Sequence, residues 1–218
     1  WTGHADCADG SVTMDADKSC TATFEEAPPT GEVTVDGAAS SNTGDDVSSL
    51  SFAHTTGTDT NRLLLVGVSW NCGSTNRTIS SVTFTPDGGS ATVLDLVWTQ
   101  QAGAQLRYSA IYSLLAPPSG VAGTVTVNFS GSVSNGIVAG VANFAGVDQT
   151  TPLGTANGAG SGSNDATPTV TLTGLSGDEL VFDNVFQGAS ASSQTLTPGA
   201  GQTELWTGFA GNTRASSS

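Results

Sequence analysis

Between Arg107 and Asp148 lie 40 consecutive residues without a formal charge. A bilayer helix needs about 20 predominantly apolar residues in one run. This stretch offers none, because Thr124, Ser130, Ser132, Ser134 and Asn135 interrupt it together with Gly120, Gly123, Gly131 and Gly136. What is left is a series of short β-branched runs punctuated by glycine and serine, the pattern of an all-β domain. Alternation assigns the faces. Val125, Val127 and Phe129 share one side of a strand and Thr124, Thr126 and Asn128 the other, and Val170 and Leu172 oppose Thr169, Thr171 and Thr173 in the same way. Leu63–Val66 and Ile137–Ala145 are apolar on both sides, as in strands that are central to a sheet or covered by loops.

Strand candidates follow at short spacing: Glu32–Asp36, Val47–Ala53, Leu63–Trp70, Ile79–Thr85, Ala91–Trp98, Ala104–Leu114, Gly123–Phe129, Gly136–Ala145, Pro168–Thr173, Leu180–Phe186, Gln194–Thr197 and Gln202–Phe209. Turn signals such as Pro86-Asp87-Gly88-Gly89 and Pro117-Pro118-Ser119-Gly120 separate them. No segment sustains a helical period. The expected fold is an all-β, antiparallel two-sheet sandwich, jelly-roll or Ig-like, over residues 32–218. It is preceded by a β-hairpin remnant at 1–26 and a Pro-rich linker at 27–31, where Pro28-Pro29 favours a stiff extended spacer.

Five Lys plus Arg against 19 Asp plus Glu give a net charge of −14, which repels nucleic acid and anionic lipid. Only 11% of residues are charged, well below the roughly 25% of an ordinary domain; Ser, Thr, Asn and Gly supply the polar surface. That dialect suits a secreted or cell-surface protein. Three cysteines are too few for a disulfide scaffold. Cys7 and Cys20 flank the expected hairpin, so one bridge there is expected in an oxidising compartment, with Cys72 the odd, structural thiol.

Ser11-Val12-Thr13-Met14-Asp15-Ala16-Asp17-Lys18-Ser19-Cys20-Thr21-Ala22-Thr23-Phe24 resembles the closing strands of divergent internalin-B-type bacterial repeats. Three further runs, Ile111–Gly120, Gly123–Gly131 and Gly146–Gly154, resemble a widespread bacterial extracellular β-sandwich module, with the likeness extending from about Asp45 to the C-terminus. Such modules occur in large surface and secreted proteins beside adhesive or sugar-binding units, and no single activity defines them. The resemblance implies one or two further strands after Arg214, so the chain reads as a piece of a longer protein with an unfilled sheet position. A strand from another copy, such as Glu25–Asp36, would fill it by augmentation.

No catalytic constellation rises above the background. His4 and His54 are too few for a histidine-rich zinc site, and His54 reads as an exposed loop imidazole. Glycosidase chemistry needs two carboxyl groups about 5–9 Å apart in a cleft. Asp95, Asp183 and Glu204 lie in expected strands, but nothing in the sequence joins them. Calcium is the one metal worth naming, with Asp15, Asp17, Asp45 and Asp46 as the densest oxygen donors. Sugar binding by stacking requires exposed aromatic rings. Trp70, Trp98, Tyr108 and Tyr112 fall on core faces, which leaves Trp206 as the candidate exposed ring. The expected function is therefore a non-enzymatic extracellular structural or adhesive module of a larger bacterial surface, secreted or filament-forming protein. Its partners would be other copies of itself or surface glycans, and neither nucleic acid nor membrane insertion is expected. The alternative is a carbohydrate-binding module attached to a secreted glycan-degrading enzyme.

Overall fold

A computed structural model describes residues 2–3, 13, 15–21, 32–162, 169–177, 179–188 and 195–218. They belong to two compact units, Trp1–Thr30 and Gly31–Ser218. In the first unit, β1 (Thr2–Gly3) pairs antiparallel with β2 (Cys20–Thr21), in the register Thr2↔Thr21 and Gly3↔Cys20. Residues 11, 12 and 14, the side chain of Cys20, all of Cys7 and the linker lie outside the described residues, and with them the expected hairpin and disulfide.

The second unit is all-β and antiparallel, with no helix among its described residues. Its strands are β3 (Thr34–Val35), β4 (Ser40–Gly44), β5 (Val47–Thr55), β6 (Leu63–Asn71), β7 (Ile79–Pro86), β8 (Thr92–Val93), β9 (Asp95–Gln101), β10 (Arg107–Leu115), β11 (Ala122–Val133), β12 (Ile137–Ala145), β13 (Val185–Gly188), β14 (Trp206–Ala210) and β15 (Thr213–Ser217). A central sheet runs β3-β12-β6-β10-β9, with β4 beside β3 along β12; a second sheet runs β5-β11-β7-β8. The two pack face to face as the expected sandwich. Leu50, Phe52, Val66, Val68, Trp70, Val82, Phe84, Val125, Val127, Ile137 and Val141 fill the space between them.

A third layer was not legible in the sequence. The sheet β13-β15-β14 covers the outer face of the central sheet. Between them lies a second core of Leu63, Leu65, Ala142, Phe144, Val147 and Trp206, joined by Phe182. This accounts for β6 and β12, both buried at every position: each is central to its sheet and covered on both faces. The approach is close because Gly67 and Gly140 form a cross-strand pair. A Cβ on Gly140 would lie 2.3 Å from the Trp206 ring, and one on Gly67 would lie 2.9 Å from it. The paired glycines leave a flat floor on which the indole rests. Phe182 bridges from Phe144 (5.8 Å between ring centroids) to Trp206 (5.7 Å).

Several expectations change here. Arg214 sits in β15, the middle strand of the third sheet. Thr34–Val35, part of the segment expected to augment another copy, pairs with β12 of its own chain. Thr169–Thr173 forms no strand, and Val170 is half-exposed; alternation alone did not supply a partner strand. Trp98 leaves the core face because β9 bulges at Val97, where Ile111 faces Trp98 and Tyr112 faces Leu96. An inserted residue flips the side-chain sequence, so Trp98 joins Ile111 on the outer face, beneath Gly158, while Leu96, beside Tyr112 on the edge strand, is 53% exposed.

Candidate functional site

At one end of the sandwich, β6 terminates in Asn71, the 72–78 loop begins, and the β9–β10 and β11–β12 turns converge. Together they enclose an open polar cavity of about 390 Å³, lined by Asn71, Gly73, Ser74, Gln105, Leu106, Arg107, Ser134 and Asn135. Its walls are pinned by backbone. Asn71 N–H donates to Gly136 O (3.0 Å), Asn135 N–H to Asn71 O (3.1 Å), and Cys72 N–H to Leu106 O (2.9 Å). Ser134 Oγ donates to Cys72 O (3.0 Å), and Asn71 Oδ1 accepts the Gly73 N–H (3.1 Å). Asn71 and Arg107 are direct cross-strand partners, so their side chains share one face about 5 Å apart at Cβ. The guanidinium lies against Gly188 of β13, where a Cβ would stand 3.0 Å from Nη1.

Behind that wall, Cys72 is 1% exposed. Its sulfur accepts the Arg77 N–H at 3.3 Å and faces Arg77 O at 3.4 Å. Burial pushes its thiol pKa up, which suppresses the nucleophilic thiolate. Trp70 Nε1 donates to the same Arg77 carbonyl (2.9 Å), and its ring stacks on Tyr108 at 4.9 Å.

The opposite end holds a smaller pocket of about 250 Å³, lined by residues 36–38, 40 and 55–58. The Asp36 carboxylate accepts the N–H groups of Thr58 (3.2 Å) and Asp59 (3.1 Å), clamping that loop. His54 is 3% exposed, not a loop residue at all: it continues the inward face of β5 after Leu50 and Phe52. Its Nδ1 lies 3.0 Å from Ser40 Oγ, and its Nε2 lies 2.8 Å from Asn143 Nδ2. Asn143 Nδ2 also donates to Thr55 O (3.3 Å). Turning that amide over would set its oxygen against the Thr55 carbonyl, so Nδ2 is the atom facing the imidazole. His54 Nε2 is therefore the acceptor and Nδ1–H the donor to Ser40. A base for Ser40 would need the reverse arrangement, with a bare nitrogen facing the hydroxyl. Burial holds the imidazole below its ordinary pKa.

Within the second unit, the described residues singled out from sequence do not assemble. Trp206 is 5% exposed, so the expected open ring is a core residue; β14 turns it, with Gly208, onto the central sheet. Asp15 pairs with Lys18 Nζ at 2.5 Å. Asp45 and Asp46 form the β4–β5 turn, where Asp46 adopts a φ of 52° and accepts Ser132 Oγ at 3.0 Å. Among the described residues no group of three or more His, Cys, Asp or Glu side chains is placed to hold a metal. Asp183 binds Gln202 Nε2 (2.9 Å) and the Ser218 N–H (2.8 Å), while Glu204 faces Ser216 Oγ at 3.5 Å. His4 lies outside the described residues. The residues missed were Asn71, Gln105 and Arg107. Their signal was available: Asn71 ends β6, Arg107 begins β10 and Gln105 lies in the turn before it, and polar groups in such connections carry sites more often than those within strands. No family model, curated protein or solved structure matches the chain.

Proposed function

We propose that this chain is a non-enzymatic structural or adhesive module on the outside of a bacterial cell, part of a larger surface, secreted or filament-forming protein. The observation that carries this reading is the outward face of the β5-β11-β7 sheet. Its rungs Ser51–Thr126–Thr83 and Ser49–Asn128–Ser81 bear no charge, in a protein whose net charge is −14. Cross-strand contacts order the side chains. Ser51 Oγ lies 2.9 Å from Thr126 Oγ1, Ser49 Oγ donates to Asn128 Oδ1 (2.8 Å), and Asn128 Nδ2 donates to Ser81 Oγ (3.1 Å). An ordered hydroxyl face without charge meets another surface at lower desolvation cost than a charged one, and charge depletion marks the centres of natural interfaces. The likeness of the first 26 residues to a surface-protein repeat, and the low-lysine, Thr-rich composition, support the location.

The test measures retention of the full chain on bacterial cell surfaces, beside hydrolysis of chromogenic esters and glycosides. Retention that falls on Thr126→Glu, with no turnover, is the expected result. Turnover that survives purification and is lost in His54→Gln would remove the non-enzymatic reading. The sugar-binding alternative is favoured by one observation, the cavity where Asn71 and Arg107 meet, whose amides and hydroxyls match the donor–acceptor pattern of a polyol.

A further inference from the structure

Resting on that sugar-binding reading, we propose that the cavity at the β6, β9–β10 and β11–β12 end binds a sugar carrying a carboxylate, a uronic acid residue of an acidic polysaccharide. Arg107 takes the carboxylate, and Asn71, Ser74, Gln105 and Asn135 take the hydroxyls.

The chain has five Lys and Arg residues. Lys18 pairs with Asp15 at 2.5 Å. Arg62 donates to Asp59 O (2.7 Å) and Pro117 O (3.0 Å), and Arg77 Nε donates to Ser132 O (3.1 Å). Arg214 is buried, with its guanidinium 5.1 Å from the Phe209 ring centroid. Among these cations only the Arg107 guanidinium has neither a hydrogen bond nor an ion pair with a described residue, although 19 carboxylates are present in the chain. It is half-buried against Gly188, held in place with its donors unspent. A guanidinium is a planar fork of five N–H groups that fits a carboxylate in two parallel bonds.

The second observation is Asn71. It is 3% exposed, yet only its Oδ1 is engaged, by the Gly73 N–H. Its amide N–H₂ has no partner among the described residues and lines the cavity on the same face as Arg107. The residue is fixed in place while its donors face the open cavity, where a ligand can take them in place of water. The Asn135 amide, Gln105 amide and Ser74 hydroxyl also line the cavity without hydrogen bonds from their side chains. One cation argues for a singly charged group. Amides that both donate and accept suit vicinal hydroxyls better than the apolar side chains of a peptide. The volume, about 390 Å³, lies within the roughly 300–1,000 Å³ of small-ligand sites.

The experiment is calorimetric titration of the full chain with trigalacturonate, with a neutral trigalactose and with an Asp/Glu-rich peptide. Trigalacturonate should bind with the neutral trisaccharide much weaker. Arg107→Gln should weaken binding about ten- to hundredfold, the loss of a charge-assisted bidentate contact. Arg107→Lys should recover part of it. Ser74→Trp, on an exposed loop position, should block the cavity with Arg107 intact. Equal binding of the neutral sugar, untouched by Arg107→Gln, would overturn the acid-sugar site and leave the sugar-binding reading standing. No saccharide binding would overturn both. Tighter binding of the acidic peptide than of trigalacturonate would overturn the assignment in favour of a protein partner.

Discussion

His54 is neutral because of where β5 puts it. The alternation Leu50, Phe52, His54 carries the imidazole into the interior, where burial penalises its charged form. The Asn143 amide then fixes Nε2 as an acceptor. In the unfolded chain the imidazole titrates near 6.5, and in the fold it titrates lower. The unfolded state therefore binds the proton first as pH falls. The stability from His54 is whole above about pH 6.5 and is lost as pH falls from there through the folded value, at up to about 1.4 kcal/mol per pH unit. Urea midpoints measured from pH 8 to 5 should show this limb, and His54→Gln should flatten it; an unchanged limb would mean that other groups produce it. The sequence placed His54 in a loop because Thr55-Thr56-Gly57 follows it, and local turn chemistry outweighed two preceding inward residues. The turn acids were legible for the opposite reason, since their partners are local. Asp148 accepts the N–H groups of Thr150 (2.7 Å) and Thr151 (3.1 Å), which lower its pKa. Glu179 is held down to about 2 by the Ser176 and Gly177 N–H groups.

Alternation located β5, β7, β10 and β11, and unbroken apolar runs located β6 and β12, whereas the alternating run 169–173 formed no strand and β15 was missed beside its partner β14. β5, β6, β7, β10, β11 and β12 appear close to where periodicity sets them. β4, Ser-Ser-Asn-Thr-Gly, was missed because it has no apolar face; its order comes from pairing with β12 and from the Asn42 Nδ2 bond to Ser51 O (3.1 Å). The third sheet was illegible as a layer because its attachment lies in two residues without side chains. Gly67 and Gly140 lie inside strands buried at every position, and an isolated glycine in such a strand marks the close approach of another segment. Asn184 completes the attachment, donating to Ser109 Oγ at 2.9 Å and Ser69 Oγ at 3.3 Å. Two consequences follow at this scale. Gly140→Ala places a methyl in the indole and should cost about 1–3 kcal/mol by overpacking. Trp206→Ala empties the site and should cost about 3–5 kcal/mol. Chemical denaturation reads both, and near-UV circular dichroism should lose the Trp206 signal in each. If Gly140→Ala matched the wild type, the third sheet would not be held by this contact.

Across the whole molecule, charge is excluded from some surfaces and concentrated on others. Acidic residues collect in turns and loops, among them Asp45, Asp46, Asp87, Asp148 and Glu179, while the central rungs of the β5-β11-β7 face carry none. Two copies, or this chain and an anionic cell wall, repel at long range through the net −14 and can still meet at short range through the uncharged face. The Debye length falls from about 30 Å at 0.01 M salt to about 8 Å at 0.15 M. Screening therefore removes the long-range repulsion while leaving short-range hydroxyl contacts intact. Retention on anionic surfaces should rise with salt across this range, opposite to the behaviour of a basic adhesin, whose attraction salt weakens. Thr126→Glu puts a charge at the centre of the face, next to Ser51 and Thr83. It should lower retention at every salt concentration, because the new carboxylate must be desolvated in the contact itself. Surface plasmon resonance on immobilised cell-wall polysaccharide, run with both proteins from 0.01 to 0.15 M salt, separates the two effects. A wild-type signal that declines with salt would show that attraction of opposite charges dominates, and would shift the contact away from this face.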